Sequence, residues 1–172
     1  MPPKPARYLT GPETRRLRHR AFVIDDADAF LDLNGRPDVM RYTGEPALSS
    51  IEQAAEAIET YPDFECVGFG RWASVLKETQ TVVGFCGLKY LPDFDLVDVG
   101  YRYLPEYWGQ GLATEACSAA VQFGLHTLGL ERVFAFVMPQ NIASIRVLEK
   151  SGLRYDAKVI YDGIPAHRYV TQ

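Results

Sequence analysis

Residues 106–116 read EYWGQGLATEA. Two glycines, Gly109 and Gly111, flank one glutamine, with Tyr107 and Trp108 just before them. From Leu112 onward the run GLATEACSAAVQFGLHTLGL places Leu112, Ala116, Ala119, Ala120, Phe123 and Thr127 at helical spacing, with Glu115, Ser118 and Gln122 elsewhere. Upstream, LVDVGYRYL (96–104) alternates as a strand does. The glycines therefore stand where a strand ends and a helix begins. The first turn of a helix leaves about four N–H groups unpartnered, and its dipole adds roughly half a positive charge. Glycine admits unusual dihedrals and has no Cβ to obstruct a phosphate. The segment is thus either an anion cradle or a plain turn.

Two phosphate motifs can be tested against it. A Walker A loop needs G-x-x-x-x-G-K-[ST], and the nearest match, GLHTLGLE (124–131), lacks the lysine and the hydroxyl. A dinucleotide fingerprint needs a third glycine where Thr114 stands, and it follows a parallel strand, whereas the strands here read as antiparallel.

Working outward, GFGRWASVL, QTVVGFCGLKYL and LVDVGYRYL are successive antiparallel strands, with KETQ (77–80) as a hairpin turn. Before them, VIDDADAFLDLNGRPDV predicts a short helix started by Asp25 or Asp26 and stopped near Asn34-Gly35 through a left-handed glycine. In LSSIEQAAEAIETYP, Ser49/Glu52 and Ser50/Gln53 have capping-box spacing, and Pro62 ends the helix by Tyr61. After the central helix, which ends by Gly129, RVFAFVM (132–138) predicts a strand buried on both faces. NIASIRVLEKSG (141–152) is a capped helix closed by Gly152, and Asp162-Gly163 turns a final hairpin. The order implies an α/β or α+β architecture on a mixed sheet, in one domain over 1–172 with 1–15 as a loosely ordered arm.

The 172 residues are 47% hydrophobic and 23% charged, enough for one domain to bury a core without disulfides or metal. Cys66, Cys86 and Cys117 are odd in number and widely spaced, which excludes a zinc framework and predicts small buried hydrophobes in a reducing compartment. The basic N-terminus has no apolar core of a secretory signal, and no run approaches a membrane span, so a cytoplasmic location without a membrane partner is expected. A net charge of −4 offers no general attraction to nucleic acid, and Arg15, Arg16, Arg18, His19 and Arg20 read as a solvated strand or arm.

YWGQGLATEA (107–116), followed by PQNIASIRVLEKSGLRY (139–155), resembles the GNAT superfamily of acetyl-CoA-dependent N-acetyltransferases, in particular its ribosomal-protein-alanine acetyltransferase (RimJ/RimL-like) branch. The likeness spans about residues 20–170 and includes RPDVMRYTG and DVGYRYLPEYWGQG. The superfamily's [RQ]-x-x-G-x-[GA] loop is met by Gly111 and Ala113, with Trp108 in place of Arg or Gln.

The resemblance implies a mostly antiparallel sheet with splayed central parallel strands and helices on both faces. It implies acetyl-CoA as cosubstrate, no metal, and an amine acceptor that is a peptide N-terminus or a small molecule. It admits a homodimer. The N–H groups from Gly109 through Gln110, Gly111, Leu112 and Ala113 to Thr114 would grip the pyrophosphate, behind Trp108. The pantetheine would run between LVDVGYRYL and RVFAFVM along main-chain groups of Tyr103 and Leu104, with Asn141 on its amide and Arg146 and Lys150 toward the phosphates.

Acetyl transfer needs a neutral amine, an oriented thioester, a stabilised oxyanion and a protonated sulfur. Asp98 is the first candidate base, sharing a face with Gly100 and Arg102; alternatively it pairs with Arg102 or faces solvent. Phe136 stands where many members carry a base on the next strand, which leaves Glu106 as a further candidate. Leu148 replaces the usual tyrosine acid, and the branch resemblance points instead to the Ser144 hydroxyl. The alternative for Ser144 is a helix serine bonding its own backbone. Tyr42, Phe69 and Trp72 are candidate cleft walls, with core packing the favoured reading for Trp72; His19, His126 and His167 receive no catalytic or metal role. A coenzyme-binding module without turnover, or a nucleotide-binding regulator, are the other readings.

Overall fold

The computed structural model describes residues 6–172. A short edge strand, β1 (Leu17–Arg20), precedes the helices; in it Leu17 and His19 point inward while Arg18 and Arg20 do not. Arg20 instead holds Asp26 through both guanidinium nitrogens, at 2.6 and 3.0 Å. Asp26 also accepts from the Val23 N–H at 2.9 Å, in a single 3-10 turn that leads into α1 (Ala27–Gly35). The expected left-handed exit at Gly35 is not taken, because its φ is not positive. Glycine serves there for close approach: a Cβ would stand 2.7 Å from the Leu48 carbonyl oxygen. Arg36 then extends into α2 (Pro37–Met40).

The helix α3 (Ile51–Glu59) starts as its sequence predicts, with Ser50 Oγ accepting from Gln53 N at 3.2 Å and Gln53 Oε1 accepting from Ser49 N at 2.8 Å. After Pro62 comes α4 (Asp63–Cys66), then the meander β2 (Arg71–Leu76), β3 (Thr81–Leu91) and β4 (Leu96–Tyr103). Both of its pairings are antiparallel. The central helix α5 (Leu112–Gln122) unwinds through one π-turn, Phe123–Thr127, and ends at left-handed Gly129. That wider turn rotates the residues that follow Gln122. Cys117 and Val121 are buried along with Leu112, Ala116 and Ala120, whereas Thr127, expected on that face, is exposed.

The strand β5 (Phe134–Val137), the helix α6 (Ile142–Lys150) and the hairpin β6 (Leu153–Tyr161) with β7 (Ile164–Thr171) complete the chain. Only Ala135 and Val137 of β5 are buried, so the strand alternates where burial on both faces was expected. Phe136 instead stacks on Tyr161 at a centroid distance of 4.7 Å, and Phe134 lies under the Arg168 guanidinium.

The seven strands lie in the order β1-β2-β3-β4-β5-β7-β6. Every neighbouring pair is antiparallel except β4 and β5, which run parallel and share a single paired position, Asp98 with Phe134. Helices cover both faces. A large core of Trp72, Leu88, Val99, Val121 and Leu148 lies beneath α5 and α6; a smaller one of Leu33, Ala73, Val75 and Phe85 lies beneath α1. Of the arm expected over 1–15, residues 1–5 lie outside the described residues. The rest is tied to the body: Tyr8 N donates to Gly68 O at 2.7 Å, and Gly11 N to His19 O at 3.0 Å.

Candidate active site

At the end of β4 the chain makes one 3-10 turn, Pro105–Tyr107, and enters the glycine pair. Gly109 and Gly111 have φ of +71° and +79°, the left-handed region where a side chain is strained. A Cβ at Gly109 would meet nothing within 4 Å, and at Gly111 only Arg16 Nη2 at 3.5 Å, so open space fronts the loop. No side chain caps the first turn of α5, which leaves its N–H groups to an external acceptor. An anion satisfies such a turn through both hydrogen bonding and the helix dipole.

The loop is held from behind. The Trp108 indole N–H donates to Tyr103 O at 2.6 Å, although the ring is half-exposed. Arg16 Nη1 donates to Gln110 O at 2.9 Å while its Nε donates to Glu115 at 2.8 Å, and Thr14 Oγ1 donates to the same carboxylate at 2.6 Å. Arg16 thus fastens the start of α5, unlike the solvated residue expected from the basic run.

Beyond their single shared position β4 and β5 diverge. A cavity of about 1010 Å³ follows this gap from Gly109 and Gly111–Thr114, past Ser144, to Asp98 and Tyr42. Two main-chain groups expected to serve a pantetheine are already engaged: Tyr103 O by Trp108, and Leu104 N by Val83 O at 3.0 Å. Because Leu104 faces β3, strand alternation turns the Tyr103 N–H toward the gap. Trp108, Asn141, Arg146 and Lys150 line the cavity, whereas Leu104 and Gln110 do not.

Ser144 sits one turn into α6. Its N–H is capped by Asn141 Oδ1 at 3.2 Å, and its Oγ lies 2.9 Å from the Tyr101 hydroxyl. The sequence pattern does not single out Tyr101, because it alternates away from Asp98.

Asp98 is buried and faces neither solvent nor Arg102. Arg71 Nη2 donates to its two oxygens at 3.0 and 3.2 Å, and Arg102 goes instead to Asn34 and Glu45, both at 2.6 Å. Burial lifts the Asp98 carboxyl above its ordinary range, and the Arg71 charge opposes that lift. Glu106 is exposed, and its hydrogen bond to Arg36 holds its carboxyl below the usual value, which makes it a poor base. Phe69 and Trp72 belong to the core and not to the cleft wall; the Trp72 indole donates to Tyr8 O at 2.7 Å. Tyr42 does line the cavity. Of the histidines, His19 is buried, with Nδ1 2.6 Å from Pro12 O and Nε2 unpartnered, and His167 packs on Tyr155. Among the described residues no three His, Cys, Asp or Glu side chains cluster as metal ligands, and no helix is long and apolar enough to cross a membrane.

This geometry has known counterparts. The chain is 35% identical over 144 residues to the uncharacterized N-acetyltransferase YoaA of Bacillus subtilis, covering 83% of this chain and 81% of that protein. An acetyltransferase structure from Agrobacterium tumefaciens superposes with a TM-score of 0.80 at 24% identity, covering 93% of this chain and 92% of that one. The ribosomal L7/L12 alpha-N-protein acetyltransferase RimL, solved in complex with coenzyme A, superposes with a TM-score of 0.78 at 16% identity over 94% and 96% of the two chains. Residues 16–154 match the family model described as the acetyltransferase (GNAT) domain, and the chain belongs to that family of acyltransferase enzymes.

Proposed function

We propose that this acetyltransferase moves an acetyl group from acetyl-CoA to a primary amine by direct attack in a ternary complex. The observation that carries the reading is continuity: one cavity joins the uncapped start of α5, the open side of β4 and the side chains of Ser144 and Asp98. The N–H groups of 109–114 would hold the pyrophosphate, with Arg146 and Lys150 near the outer phosphates, and the Tyr103 N–H and Asn141 would align the pantetheine.

The two candidate catalytic groups then face different reactants. Ser144, on the helix side of the sheet, would donate a hydrogen bond to the departing sulfur. Asp98, on the opposite face, borders the space where an amine enters. An α-amine titrates near ~8 and a lysine near ~10.4, so the acceptor must shed a proton before attack. A carboxyl lifted by burial is better matched to that task than an ordinary one, and the two bonds from Arg71 favour its ionised form and hold it in place. The motif likeness to the RimJ/RimL-like branch makes a peptide with a free N-terminal alanine the first acceptor to test, ahead of small amines such as spermidine.

The assay is thiol release from acetyl-CoA with each acceptor. Turnover that falls about a hundredfold in kcat in Ser144→Ala, with KM for acetyl-CoA held, supports the reading. A second reading, a coenzyme-binding module without turnover, draws on Leu148 in the acid position and on the occupied oxygens of Asp98. Saturable coenzyme binding with no thiol release from any acceptor would favour it.

A further inference from the structure

The α6 position that carries an acid hydroxyl in many relatives of the fold is Leu148 here, and it is buried in the core. A phenol nevertheless reaches the start of α6, from β4. Asp98 and Tyr101 are three positions apart on one strand, so alternation sends them to opposite faces of the sheet, and Tyr101 crosses to α6. Its hydroxyl stands 3.0 Å from Ser144 O and 2.9 Å from Ser144 Oγ, and both residues line the cavity.

The proton count at this junction is restrictive. A carbonyl only accepts, and each hydroxyl carries one proton. When Tyr101 donates to Ser144 O, the serine proton is drawn back onto the phenol oxygen and away from the cleft. When Tyr101 donates to Oγ, the serine proton is free to face the cavity. The two distances are nearly equal, so rotation of two O–H bonds interconverts these states without moving a heavy atom.

We propose that Tyr101 is a positioning residue that turns the Ser144 hydroxyl toward the coenzyme sulfur as negative charge develops there. This rests on the reading of Ser144 given above. The effect is hydrogen-bond donation along a chain from phenol to serine to sulfur, in which each bond strengthens the next and no proton leaves either hydroxyl. Burial pushes the Tyr101 phenol well above its ordinary range, in keeping with a donor that stays protonated.

The test uses coenzyme A itself as probe. The ionisation of its thiol in the complex is followed by thiolate absorbance, as the difference between complexes with coenzyme A and with desulfo-coenzyme A, so that the protein's own tyrosines cancel. Cys86 and Cys117 do not interfere, since burial pushes the first thiol well up and the second up to about 12. Cys66 is exposed and is replaced by serine in every sample.

The expectation is a bound thiol more acidic than the free one. Tyr101→Phe and Ser144→Ala should each raise its pKa by about one unit, and the double variant by no more than either. A shift in Ser144→Ala but none in Tyr101→Phe overturns the inference and leaves the role of Ser144 standing, as does full additivity of the two. No shift in Ser144→Ala removes the role of Ser144, and the inference with it. Should Tyr101→Phe fail to fold, 3-fluorotyrosine placed at position 101, a near-isostere with a stronger donor, should make the bound thiol more acidic; an unchanged thiol there overturns the inference.

Discussion

At the proposed coenzyme end of the cleft the groups facing open space are main-chain amides, set by two left-handed glycines and the start of α5. At the proposed acceptor end they are side chains brought together from distant parts of the chain: Asp98 on Arg71 across 27 positions, Arg102 on Asn34 across 68 and on Glu45 across 57. An amide cradle tolerates changes of side chain and fails when the backbone path is altered. A charge network fails when one member is removed, because a buried survivor such as Asp98 is left without its partner. The comparison teaches that one end should lose binding and the other stability when each is damaged.

The largest effect is expected at the acceptor end. Arg71→Met leaves Asp98 buried without its cation and should lower unfolding free energy by about 3 kcal/mol in urea denaturation, while coenzyme affinity in the folded fraction stays within about twofold. Gly111→Val is the converse. It forces a β-branched residue into the left-handed region at the cradle, and KM for acetyl-CoA should rise roughly a hundredfold with a smaller loss of stability. Equal damage to binding and stability in both variants would erase the distinction.

A third prediction concerns neither end. Burial depresses the pKa of His19 below the ordinary 6.5, against the weaker pull of its Pro12 carbonyl partner. A base whose folded pKa is depressed contributes stability that is present above the unfolded pKa and lost as pH falls through the folded one. Melting temperature should therefore drop as pH is lowered from 6.5, and His19→Gln should flatten that slope without changing KM at neutral pH. The smallest effect sharpens the coenzyme end: Trp108→Phe removes one indole hydrogen bond to Tyr103 O, worth about 1 kcal/mol, and should raise KM a few fold.

What the sequence disclosed follows the same division. Alternation in LVDVGYRYL, the capping pair Ser50/Gln53, the Asp162-Gly163 turn and the glycine loop are local patterns, and each reappears as an element at its expected place. The mixed sheet follows from their order, while its one parallel pair and the helices on both faces were implied by the family resemblance and not by these patterns. Partners distant in sequence leave no periodic mark. Neither Arg71 as the mate of Asp98, nor Glu115 as the anchor of Thr14 and Arg16, nor the reach of Tyr101 to Ser144 was legible, since each depends on how two separate elements pack. Composition misled for the same reason at Phe69, whose aromatic character suits a cleft wall and a core equally until the sheet face is known, whereas Trp72 lies in the core as favoured. Thr127 was misassigned because a π-turn rotates the helix by a fraction that a 3.6-residue period does not anticipate.

The account depends most on main-chain amides at the start of α5 holding the coenzyme's diphosphate. Amide hydrogen exchange with and without millimolar coenzyme A tests this residue by residue. Slowed exchange concentrated at 109–114 and at Tyr103, and abolished in Gly111→Val, is the predicted result. Coenzyme binding that leaves those amides exchanging at their free rate would contradict it.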